Sequence, residues 1–152
     1  MPLMPNLNSL HLEDTNFTDI GFSILLKSIE TSIKSFKSIT YKGVVNQFGQ
    51  KSLNELTKIL KRPVPFQLTT LVFESIRLLP SFPIKLIEAI THKSLLEKLS
   101  LANMKLDRYA FRQLCLFLNR NYSLKDLNLK MMNLPVRIFA AVLPILSQNC
   151  KL

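Results

Sequence analysis

Six-residue phrases of the form Leu-x-x-Leu-x-Leu return along this chain at a nearly constant interval, and that spacing leaves few ways to fold. Leu96-Glu-Lys-Leu99-Ser-Leu101 is followed 28 residues later by Leu124-Lys-Asp-Leu127-Asn-Leu129, and 28 residues earlier stands Leu68-Thr-Thr-Leu71-Val-Phe73. Leu7-Asn-Ser-Leu10-His-Leu12 opens the series. Between them Phe36-Lys-Ser-Ile39-Thr-Tyr41 fits with steps of 29 before it and 32 after it. Apolar residues at the fourth and sixth positions alternate with polar ones, which is strand periodicity. Two further inward positions are expected in each unit: Thr15 and Phe17, Val44 and Val45, Ile76 and Leu78, Met104 and Leu106, Met132 and Leu134.

The rest of each unit carries helical spacing. Ile24, Leu25 and Ile29 form one predicted inward stripe, and Leu53, Leu56, Ile59 and Leu60 a second. Leu86, Ile87 and Ile90, then Leu114, Phe117 and Leu118, and finally Phe139, Leu143 and Leu146 continue the series. A strand that is repeatedly followed by a helix must return by a crossover, so the strands are expected to pair in parallel. Helices pack about 8–10 Å apart and strands about 4.8 Å apart, which predicts an array curved with its strands inside.

These units resemble the ribonuclease-inhibitor-like class of leucine-rich repeats, over nearly the whole chain. The 28-residue step and the helical second half carry the resemblance, and the first unit matches best through Phe17-Thr18-Asp19-Ile20-Gly21 ahead of Leu25 and Ile29. It implies an α/β fold of the leucine-rich-repeat solenoid type: a horseshoe arc with a parallel β-sheet on the concave face and helices on the convex face. The chain departs from the family in having Thr15, Ile76, Met104 and Met132 where Asn or Cys usually satisfies the turn backbone. The glycine that opens the helix is missing from the last three units, where Pro80, Pro83 and Pro135 stand near the turns. Pro144 is expected to kink the last helix.

Residues 1–152 are read as a single array of about five repeats starting near 7, 36, 68, 96 and 124. Solenoid ends need caps. Only Leu3 and Met4 offer cover before Leu7, and Asn149-Cys150-Lys151-Leu152 looks like the approach to a further strand. The expectation is therefore a part of a longer array, or one whose ends another subunit covers.

The formal charge of +10 arises from 20 bases and 10 acids. Four acids (Glu13, Asp14, Asp19, Glu30) fall in the first thirty residues against the single base Lys27, and nineteen bases face six acids from Thr31 onward. The bases are scattered, the densest group being Lys58, Lys61 and Arg62, which fits solvated edges better than a nucleic-acid track. Most of the ten phenylalanines take core positions and no tryptophan occurs, so a base-stacking platform is not expected. Two cysteines, Cys115 and Cys150, make neither a disulfide framework nor a metal set, and both are expected as buried free thiols. The sequons at Asn16 and Asn121 carry no weight without a secretion signal, and no apolar run reaches the roughly 20 residues of a membrane span. An intracellular, cytoplasmic setting is expected.

No catalytic constellation, cofactor motif or metal spacing is present in the sequence, so neither an enzyme nor a cofactor is expected. His11 beside Glu13 and Asp14 reads as an exposed polar patch, and His92 as a cation at a helix end. The informative surface is the concave one. Its expected partner-binding residues are Ser9, His11, Glu13, Asp14, Thr70, Val72, Glu74, Lys98, Ser100, Asn103, Asp126, Asn128 and Lys130, with Ser38, Thr40 and Lys42 in the second unit. Polar and mixed in sign, this face suits a protein partner. The leading expectation is a non-catalytic interaction module, a scaffold or subunit of a larger assembly. The resemblance also implies an alternative, since the family includes ribonuclease inhibitors and small-GTPase activators. The edge-loop residues Asn103, Lys105, Asn133 and Arg137 single out neither. Binding of nucleic acid through the net charge ranks last. Family members belong to cilia, immune receptors and cytoskeletal assemblies, and these residues choose none of them.

Overall fold

The computed structural model describes residues 6–33, 35–61, 68–78, 82–91, 95–132, 136–137, 140 and 143–144. Five strands, β1 (Ser9–Glu13), β2 (Ser38–Lys42), β4 (Thr70–Glu74), β6 (Lys98–Ser100) and β7 (Asp126–Asn128), pair in parallel in the order β1-β2-β4-β6-β7. Leu10, Ile39, Leu71, Leu99 and Leu127 lie abreast across the sheet, so the repeat frame read from the leucines is the observed register. A second, two-stranded parallel sheet joins β3 (Gln47–Phe48) to β5 (Arg77–Leu78). Helices α1 (Asp19–Ser32), α2 (Gln50–Lys61), α3 (Phe82–Thr91) and α4 (Arg108–Arg120) follow the first four units. Each packs beside the next, in one layer against the inward face of the sheet.

The expected horseshoe solenoid is corrected by this architecture. Five strands at about 4.8 Å spacing span only roughly 19 Å, and β6 and β7 shrink to three residues each. Among the described residues the sheet is too narrow, and its later strands too short, to sweep an arc. The product is a small α/β domain of two layers, with an open sheet face opposite the helices.

Burial follows the sequence frame in the middle units. Phe36, Ile39, Tyr41, Leu68, Leu71, Phe73, Leu96, Leu99 and Leu101 are all buried, while Leu10, Leu12, Leu127 and Leu129 are half-buried. The stripes expected on α2, α3 and α4 are buried. The α1 stripe is corrected: Ile24 is exposed and Leu25 half-buried, and Phe22, Leu26 and Ile29 face the core at i, i+4 and i+7. Either triplet satisfies helical periodicity, and Phe22 wins because it stacks on Tyr41 across the core. Leu143 is exposed, against expectation, and Cys115 is half-buried rather than buried. Leu134, Phe139 and Leu146 lie outside the described residues, as do His92, Asn133, Cys150, Pro80, Pro135 and both termini. Pro83 occupies the first turn of α3, where a missing N–H costs nothing.

The second unit holds the largest correction. Val44 and Val45, expected inward, are exposed, and the inward positions belong to Asn46 and Phe48. The 32-residue step hides two extra residues in this turn, which bulge outward. Gly43 permits the bulge with φ of 105°, and a Cβ there would strike the Asp14 side chain. Asn46 then bridges units. Its Oδ1 accepts from the Phe17 N–H and the Thr15 hydroxyl, each at 3.1 Å, and its Nδ2 donates to the Lys42 carbonyl. A buried asparagine thus satisfies this turn, two residues later than the regular frame of the other units would place it.

Each unit also turns on a left-handed residue beyond its strand, directly after it in the first three units and three residues after it in the last two: Asp14, Gly43, Ser75, Asn103 and Met131, with Asn16 a second such residue in the first unit. The first five occupy the same place in the repeat frame of every unit. Asp14 N–H donates to the Lys42 carbonyl, Gly43 to Glu74, Ser75 to Ala102 and Asn103 to Lys130, at 2.8–3.1 Å. Small or polar side chains tolerate that backbone region; Met131 alone does so without such help.

Helix starts are fixed by side-chain oxygens. Thr18 accepts from Gly21 N–H and Asp107 from Ala110 N–H. The start of α2 is served from the neighbouring unit: Asp19 Oδ1 accepts from Gly49 and Ser52 N–H, and Oδ2 from Lys51 N–H. Burial alone would raise the Asp19 pKa, but the donors from Ser52, Gly49 and Lys51 outweigh it and hold it below its ordinary 3.8. With the folded value below the unfolded one, the carboxylate stabilises the fold fully above the unfolded value. That contribution is lost as pH falls through the folded one. Asp19→Ala should therefore cost about 1–2 kcal/mol at neutral pH. In urea titrations the gap to the parent should persist at mildly acidic pH and close only below the ordinary carboxylate range. A gap unchanged in strong acid would show that the charge is irrelevant.

Candidate functional site

The open face of the sheet is the candidate site. Side chains from its five strands line a shallow depression of about 350 Å³: His11, Thr40, Lys42, Val72, Glu74, Lys98, Ser100, Asp126 and Asn128. Strand alternation predicts these residues, and they lie together. The parallel register sets Lys42 beside Glu74, Thr40 beside Val72, and Lys98 beside Asp126.

Glu74, at the end of the central strand, organises the face. Its Oε1 accepts from the Ser100 hydroxyl and from Asn128 Nδ2 at 3.2 Å, and its Oε2 meets Lys42 Nζ at 3.0 Å. Burial works to raise the Glu74 pKa, but the bonds from Ser100, Lys42 and Asn128 prevail and hold it below the usual glutamate range. One carboxylate therefore ties β2, β4, β6 and β7 together. Lys98 and Asp126 pair across β6 and β7, and His11 Nε2 lies 3.1 Å from Glu13 Oε2 at the first edge. Every charge lining the depression has an opposite partner, so the excess positive charge of the chain is not concentrated here.

Not every expected site residue belongs to this depression. Ser9, Glu13 and Thr70 lie on its strands but outside the lining, while Val72 and Ser100 form a buried floor. Asp14, Asn103 and Lys130 lie apart from the lining. The strands end before them, and they sit in the turns beyond, Asp14 and Asn103 with left-handed backbone. Asn103 Nδ2 donates to Ser75 Oγ along the turn ladder rather than facing the sheet. Asp14 approaches Gly43 and so does not extend the His11–Glu13 pair. Among the described residues no three His, Cys, Asp or Glu side chains are placed to hold a metal ion, and no helix is long and apolar enough to cross a membrane.

No protein-family model matches the sequence, and no curated protein matches it either. Solved structures do match the fold. The leiomodin-1 actin-binding site 2 domain superposes with a TM-score of 0.73 at 15% identity, covering 97% of this chain and 83% of that one. The Caenorhabditis elegans tropomodulin C-terminal domain gives 0.72 at 12% identity, covering 97% and 86%. These likenesses identify the small α/β domain as the whole-chain fold in place of the expected horseshoe. At such identity they concern the fold alone.

Proposed function

We propose that this chain is a non-catalytic protein-binding domain of a cytoskeletal assembly, with actin or an actin-like protein as its partner. The observation that carries this reading is the open sheet face, whose paired, mixed-sign side chains are held in fixed positions by Glu74. Such a surface offers a protein partner complementary charges in a set register. The actin-binding site of leiomodin-1 has the same fold and supplies the partner's class. The exposed pair Lys98 and Asp126 forms the rim, with His11 and Glu13 at the opposite edge.

Co-sedimentation of the full chain with actin filaments tests the proposal. The parent chain should pellet with filaments. Lys98→Glu and Asp126→Lys should each weaken binding at least about tenfold, roughly 1.4 kcal/mol, without changing the circular dichroism spectrum. Binding that neither substitution weakens would move the interface off this face, and no binding to filaments or monomers would remove actin as the partner.

A further inference from the structure

Beyond the sheet face, a second cleft of about 670 Å³ opens at the turn edge of the domain, between β5 and the segment Lys105–Asp107. Its floor is apolar, formed by Ile76, Leu78, Pro83 and Leu106. Two features distinguish it from an ordinary surface hollow. The small sheet has only the strands β3 and β5, so among the described residues the outer edge of β5 has no strand partner. The bases Arg77 and Lys105 stand at its rim, both exposed. Neither forms an ion pair among the described residues. The one acid in the lining, Asp107, is turned to the α4 backbone, where it accepts from Ala110 N–H at 2.7 Å.

We infer that this cleft is a docking site for an extended acidic peptide segment of a partner protein. The segment pairs its backbone with the open edge of β5, seats an apolar side chain on the Ile76–Leu78–Leu106 floor, and sets flanking carboxylates against Arg77 and Lys105. An unpaired strand edge supplies affinity through main-chain hydrogen bonds, and pockets for alternate side chains supply selectivity. Two bases without acidic partners select carboxylates on the incoming strand. The site shares no residue with the depression on the sheet face.

Fluorescence anisotropy of the full chain with the labelled, end-blocked peptide Asp-Phe-Glu-Leu-Asp tests this, with backbone amide shifts of Arg77 and Leu78 as the local readout. Saturable binding is expected. It should weaken at least about tenfold with Arg77→Glu or Lys105→Glu, and equally when Phe and Leu of the peptide become Ser or when its central amide is N-methylated. Both substituted residues are exposed, and circular dichroism verifies that the variants fold. Four results would each overturn the proposal. They are no saturable binding, binding indifferent to Arg77→Glu and Lys105→Glu, binding that survives loss of the peptide's apolar side chains or of its central N–H, and a dimeric native mass that Arg77→Glu returns to monomer. The last would make a second copy of this chain the occupant.

Discussion

Asn46→Ala will lower the unfolding free energy by about 2 kcal/mol, far more than an exposed loop asparagine would. The side chain is fully buried and satisfies the Phe17 N–H, the Thr15 hydroxyl and the Lys42 carbonyl. Truncation orphans the half-buried Phe17 N–H, while the Lys42 carbonyl keeps the Asp14 N–H and the exposed Thr15 hydroxyl can turn to water. One unsatisfied backbone polar group costs about 1–3 kcal/mol. Urea denaturation followed by far-ultraviolet circular dichroism gives the midpoint and slope. A lower midpoint at constant slope is expected. A loss below about 1 kcal/mol would mean that water replaces the side chain at no cost and that the bridge between units is dispensable.

Tyr41 carries the other large effect. Its ring is fully buried, lies 3.9 Å from Phe22 at an interplanar angle of 4°, and meets Phe73 edge-on at 6.1 Å. Phe48 completes the cluster, 5.2 Å from Phe73. The hydroxyl donates towards the carbonyls of Phe17 at 3.3 Å and Gln47 at 3.0 Å. Burial, with the Asp19 charge nearby, raises the phenol pKa far out of reach of ordinary alkaline conditions. Tyr41→Ala opens a cavity at the meeting of three units and should cost about 3–5 kcal/mol. Tyr41→Phe keeps the ring and should cost only about 1 kcal/mol. Equal losses for the two variants would assign the whole effect to the hydroxyl, and no loss for Tyr41→Ala would disprove the packing role. Because Tyr41 and Asn46 both anchor Phe17, their substitutions should not add, and the double variant measures the coupling.

The sequence displayed its strands and concealed its turns. Leucine spacing identified the residues that stand abreast, because one register places the whole apolar set on one face. Alternation likewise located His11, Lys42, Glu74, Lys98 and Asp126 on the open face. It does not reach past the strand ends: Asp14, Asn103 and Lys130, grouped with the open face from the sequence, lie in the turns beyond the strands. The recurrent left-handed position was also hidden, because Asp, Gly, Ser, Asn and Met share no side-chain property. Only the backbone angle unites them. In the second unit, two apolar valines mimicked the inward pattern while a polar asparagine took the place. Its burial is decided by hydrogen bonds to another unit, which hydropathy does not record. Curvature was over-read for a different reason. A horseshoe depends on how many units accumulate, and a repeat period is silent about that total.

The two sides of the sheet are stitched in opposite directions. After the strands, each earlier unit donates to the next, from Asp14 to Lys42 and from Asn103 to Lys130; before them, each later unit donates back, from Lys37 to Asn8 and from Lys125 to Glu97. Duplication or loss of one complete strand–turn–helix module leaves both seams continuous, because every junction offers the same donors and acceptors. A change of a few residues inside a module does not, unless something absorbs the surplus, as Gly43 and Asn46 do here. Length is therefore gained or lost most cheaply in whole modules, and a departure from the common step needs a local device such as the Gly43–Asn46 turn to take up the surplus.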